Sequence, residues 1–101
     1  MKLYVLSAMS LDGGNGYIET PGVFRTREEA IERMAKVVAS VLRVDLVEKG
    51  GSEWLWKLID NEGVYRYFTL YRSVDGHYVD VADEDSWSMR LQVDEVELEE
   101  P

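Results

Sequence analysis

The chain predicts an α+β fold: an antiparallel β-sheet of four to six strands packed on one amphipathic helix at about residues 27–46, in the order β(β)αββββ. Three observations point there. Thr26 and Glu29 have the spacing of a helix-capping box and precede apolar residues at helical intervals. Apolar runs before and after this segment alternate with period two, as strands do. Polar turn sequences, Asp75-Gly76 and Asp83-Glu84-Asp85-Ser86, separate the later runs.

Taken in order, Leu3, Val5, Met9 and Leu11 alternate with Tyr4, Leu6 and Ala8, so both faces of the first segment are apolar and an interior strand is expected. Tyr17 to Phe24 is a weaker strand. Pro21 removes a ladder donor and Gly22 interrupts the run, which suits a short edge strand or a loop. The helix begins at Arg27, after Thr26; Arg25 occupies the position before the cap, so a strict hydrophobic staple is absent. Ala30, Ile31, Met34, Val37, Val38, Val41 and Leu42 form its apolar stripe. The β-branched residues of its second half leave two ends open, near Arg43 or at Gly50-Gly51.

Ser52 to Glu62 fits two patterns. Trp54, Trp56 and Leu58 alternate as in a strand, whereas Trp54, Leu55, Leu58 and Ile59 share a helical face between Ser52 and Gly63; the strand is favoured narrowly. Val64 to Arg72 is aromatic and β-branched, hence a strand. Asp75-Gly76 then makes a two-residue hairpin turn into His77 to Val81. The second polar turn leads to Trp87, Met89, Leu91 and Val93, giving three antiparallel strands after the helix.

With 101 residues the chain is the size of one domain, 1–101, and 99–101 read as a short disordered tail. An apolar content of 46%, with 3 Trp and 6 Tyr, is too high for a disordered chain. The absence of Cys removes disulfides, thiolate metal sites and cysteine nucleophiles. No signal peptide and no run of about 20 apolar residues is present, so a cytoplasmic chain with no membrane partner is expected. The 11 bases form no stripe, which disfavours nucleic acid.

The net charge of -9 is concentrated. Nine carboxylates lie between Asp80 and Pro101 against one base, Arg90. Trp87, Met89, Leu91 and Val93 are odd-numbered, whereas Val96 and Leu98 are even, so a β-bulge at Asp94-Glu95 is expected. That bulge puts Glu95, Glu97 and Glu99 in a row on the solvent face. Such a row either prevents sheets from pairing or docks a basic protein surface.

A second interaction surface is a tyrosine-lined strand face formed by Tyr65, Tyr67 and Tyr71; if exposed, it favours a homodimer. Asp80, Asp83 and Asp85, with Glu84, are oxygen donors around a turn and the weak candidates for a divalent metal. Asp12-Gly13-Gly14-Asn15-Gly16 fits a flexible connection better than a metal or phosphate loop, since it has neither the EF-hand nor the Walker pattern. His77, the one histidine, is placed as a turn-flanking surface residue rather than a general base. No catalytic constellation is visible, and no cofactor is implied.

Val23-Phe24-Arg25-Thr26-Arg27-Glu28-Glu29-Ala30, Asp75-Gly76-His77-Tyr78, Ser86-Trp87-Ser88-Met89 and Val93-Asp94-Glu95-Val96-Glu97-Leu98, in that order, resemble segments of small acidic uncharacterised proteins of gut bacteria and their mobile elements. The resemblance implies an intracellular bacterial or phage origin and carries no catalytic residues. The function expected is a non-enzymatic protein-interaction or regulatory domain acting through the acidic strand end or the tyrosine face. The alternatives are a small-ligand or divalent-metal module and a carboxylate-based enzyme.

Overall fold

A computed structural model describes residues 1–10, 18–61, 63–85 and 87–99. Among the described residues the order is β1 (Lys2–Ser10), β2 (Ile18–Phe24), α1 (Arg27–Leu42), α2 (Leu46–Lys49), α3 (Ser52–Asn61), β3 (Val64–Tyr65), β4 (Phe68–Arg72), β5 (Tyr78–Ala82) and β6 (Ser88–Glu97). The fold is α+β, with one antiparallel sheet in the order β2-β1-β6-β5-β4-β3. The Gly-rich connection at 12–16 and the last two residues of the expected tail lie outside the described residues.

The helix starts where the capping box puts it. The Thr26 hydroxyl oxygen accepts from the Glu29 amide at 3.2 Å, and the hydroxyl donates to Glu29 Oε1 at 3.1 Å. The Glu29 carboxylate thus closes on the cap side chain. The helix expected over 27–46 takes the earlier of its two ends, near Arg43, and the short α2 follows it. α1 ends at Arg43, whose φ of 57° turns the backbone left-handed, and Val44 N donates to Ala39 O at 3.0 Å. Asp45 then caps α2 by accepting from Val47 N at 2.9 Å, and Gly50 and Gly51, at φ 102° and 92°, reverse the chain into α3. The β-branched half of α1 lowers its propensity to continue, and the Asp45 cap starts a new helix in its place.

The strand favoured at Ser52 to Glu62 is a helix, α3. Leu55 and Ile59 are buried against the sheet one helical turn apart, while Lys57, which a strand would put on the same face, is exposed. Glu53 and Lys57 pair one turn apart at 3.3 Å. Gly63 ends the helix, its N–H donating to Leu58 O at 3.0 Å with φ at 65°. The single strand expected from Val64 to Arg72 is a tight hairpin of β3 and β4, turned at Arg66 and Tyr67 with Arg66 at φ 54°.

β1 is interior and β2 is an edge, as expected. The β1–β2 register shifts between Leu6 and Ala8, opposite the Pro21 stretch, so a bulge accommodates the missing donor. On one face Leu6, Leu70, Val79, Val81 and Leu91 pack against Met34, Val38 and Leu42 of α1 and Leu55 of α3. Ala30, Ala35 and Ala39 on α1 let the helix approach closely. Full burial of each large side chain contributes about 1.5–3 kcal/mol. Among the described residues no helix is long and apolar enough to cross a membrane.

Candidate interaction face

The β1–β6 ladder runs without interruption from Lys2↔Glu97 to Ser10↔Met89, with Tyr4↔Glu95 and Val5↔Asp94 in register. There is no bulge at Asp94-Glu95, and the expectation of one is overturned. Glu95 and Glu97 therefore keep the parity of Met89, Leu91 and Val93 and share the helix side of the sheet. They are exposed because the strand continues past the helical cover. The apolar mismatch is resolved by leaving Val96 and Leu98 exposed, at 39% and 45%.

Nor do the three glutamates form an uncompensated row. Glu95 accepts from the Tyr4 hydroxyl at 3.3 Å and lies 3.7 Å from Lys2 Nζ. Glu97 lies 3.3 Å from the Met1 ammonium. Glu99 follows the end of β6 and is exposed. Lys2 on β1 and the Met1 ammonium just before it face the acids across the ladder, a pairing invisible until the first and last strands are known to be neighbours.

The tyrosine face is redistributed by the Arg66–Tyr67 turn. Tyr65 points to the helix side, its ring edge-on to Trp54 at 5.5 Å. Tyr67 sits in the turn against Phe68, ring centres 4.5 Å apart. Tyr71 alone of the three lies on the uncovered face, 56% exposed. Tyr78 joins it there, ring centres 6.1 Å apart.

Cross-strand pairing fixes the rest of that face. One row reads Tyr71, Asp80, Arg90, Met9 across β4, β5, β6 and β1. A second reads Tyr78, Gln92, Ser7, and a third Asp94, Val5, Val23. Leu3 and Val96 pair at the far end. The face is half aromatic and polar, half aliphatic.

Its polar half is internally satisfied. Arg90 donates to Asp80 through Nε at 2.7 Å and Nη2 at 2.9 Å, a fork-to-fork pair. The same guanidinium lies 4.0 Å from the Tyr78 ring centre. Asp80 hydrogen bonding raises the Arg90 pKa, and loss of hydration followed by the neighbouring Tyr71 raises that of Tyr78. Gln92 Nε2 donates to both Asp94 oxygens, at 2.9 and 3.1 Å.

The metal candidates do not converge. Asp80 is held by Arg90, while Asp83 accepts from Asp85 N at 2.9 Å and Trp87 N at 3.0 Å, shaping the β5–β6 turn. Among the described residues no three His, Asp or Glu side chains are grouped to hold a metal ion. The β4–β5 hairpin is present, but its connection spans Ser73 to His77 rather than two residues. Gly76 N donates to Ser73 O at 2.9 Å, and the buried Ser73 hydroxyl accepts from Tyr78 N at 3.1 Å and donates to Asp75 Oδ1 at 3.0 Å.

Comparison of the chain with protein-family models, with curated proteins and with solved structures found no match.

Proposed function

We propose that this is a non-enzymatic interaction domain that self-associates through the uncovered face of its sheet, joining two copies about a two-fold axis. The observation that carries the reading is the contrast between that face and the whole chain. The chain carries -9, whereas the uncovered face holds Arg90 against Asp80 and Asp94, one base and two acids. A basic partner would find little to match there, but a second copy meets no strong repulsion.

The surface supplied is the right kind. Val23, Tyr71 and Val96 are exposed at 55%, 56% and 39%, with Leu3, Val5 and Met9 half-buried between them. Six strands about 4.8 Å apart, the longest running about 30 Å, give a face of several hundred Å², the scale of a standard interface at about 800 Å² per partner. Edge pairing is the competing mode, and both edges oppose it. β2 carries Pro21 and a bulge, and β3 is two residues long.

Sedimentation equilibrium across a concentration series tests this. The wild type is expected to dimerise, and Tyr71→Ala and Val96→Glu are each expected to weaken the dimer by about 2 kcal/mol, the scale of an interface hot spot, with the monomer fold unchanged. Glu97→Gln, on the other side, leaves association unaltered. A wild type monomeric at every concentration defeats the proposal.

A further inference from the structure

A cleft of about 220 Å³ opens where the start of α1, the β4–β5 connection, β1 and β6 meet, lined by Tyr4, Arg27, His77, Val93, Asp94 and Glu95. The geometry points to a binding site for a small zwitterion of the α-amino acid class, its carboxylate held by Arg27 and its ammonium by Glu95.

Arg27 is the first residue of α1, and its Nη2 donates to the Asp75 carbonyl at 2.7 Å, which ties the guanidinium to the β4–β5 connection at the cleft. That contact uses part of a five-donor group and leaves donors for a carboxylate. His77 is fixed from three sides. Its Nδ1 is hydrogen-bonded to Asp75 Oδ1, its carbonyl accepts from Val93 N at 2.7 Å, and its ring stands edge-on to Tyr78 at 4.9 Å. The side-chain and backbone hydrogen bonds from His77 hold the Asp75 carboxyl well below the usual carboxylate range. Because Nδ1–H is given to the Asp75 carboxylate, Nε2 of the neutral ring is an acceptor, suited to an N–H of the ligand's ammonium rather than to its carboxylate.

The negative side is Glu95, oriented by the Tyr4 hydroxyl at 3.3 Å. Arg27 and Glu95 line one small cleft yet form no ion pair with each other; Arg27 turns to a carbonyl and Glu95 to Tyr4 and Lys2. Two opposite charges held apart across a cavity match a molecule that carries both. The volume lies below the roughly 300 Å³ at which drug-sized sites begin, which limits the occupant to a few heavy atoms. The site does not depend on self-association through the sheet face.

The chain's one histidine makes a clean probe, because its ring resonances are a single set. Titration with glycine or alanine, followed by NMR, is expected to shift that set saturably. Acetate and methylammonium, each carrying one charge, are expected to bind at least about tenfold more weakly, since each loses one charge-assisted contact. Arg27→Gln and Glu95→Gln should each weaken glycine by about tenfold or more, and Arg27→Lys should recover part of the loss. An absent or non-saturating shift in the wild type overturns the site. Equal responses to acetate and glycine, or full affinity in folded Arg27→Gln or Glu95→Gln, overturn the zwitterion assignment. Should a variant lose its fold, the wild-type ligand series decides alone.

Discussion

On its covered face the sheet presents Leu6, Val79, Val81 and Leu91, all inaccessible to solvent, to the apolar stripes of α1 and α3. On the other face the same strands present Val5, Tyr78, Asp80 and Arg90, held by cross-strand pairing and a bidentate ion pair. The backbone ladder is common to both faces; only the covering differs. Burial against helices stabilises the first, whereas the partly exposed Arg90–Asp80 ion pair on the second contributes at most about 1 kcal/mol. Fold stability therefore resides mainly on one side of the sheet, and the residues on the other contribute little to it.

The strongest way to break the contrast is Leu91→Ala, which empties the covered face at its central strand. It is expected to cost about 2–5 kcal/mol in urea unfolding, through lost transfer energy and the cavity left behind. Gly63→Ala tests the joint that seats α3 on β4. At φ 65° an added Cβ would meet the Leu70 carbonyl, so a loss of about 1–3 kcal/mol is expected by the same measurement. Val96→Ser, on the uncovered face, should change monomer stability by no more than about 0.5 kcal/mol. A loss at Val96 comparable to that at Leu91 would erase the distinction between the faces.

Much of the fold was legible from local chemistry. Thr26 and Glu29 placed the start of α1, the two-sided apolar pattern placed β1 inside, Pro21 placed β2 at an edge, and the turns at Asp75-Gly76 and Asp83 separated β4, β5 and β6. Two segments depart from their local pattern for different reasons. Trp54 to Ile59 satisfies both periods over a short span, and only the burial of Leu55 and Ile59 with Lys57 left in solvent distinguishes the helix. Val64 to Arg72 alternates like one strand because nothing in Arg66-Tyr67 advertises a turn; Arg66 is a non-glycine residue at positive φ.

The candidate sites were less legible. Tyr71 was found, but its neighbours Tyr78, Asp80 and Arg90 come from strands whose order no local pattern reveals. His77 was seen only as a turn residue, because Arg27, 50 positions earlier, and Glu95, 18 later, join it solely through the tertiary fold.

By itself the sequence determined which segments alternate, where α1 begins, and that the acids gather at the end of the chain, because those properties reside in neighbouring residues. Only the tertiary structure decided what the acids face. Pairing β6 with β1 set Lys2, Tyr4 and the Met1 ammonium against Glu95 and Glu97, and the reach of the helices left one stretch of strand exposed that parity alone would have buried. Strand order and the extent of the helical cover are relations between distant segments, and no local period encodes them.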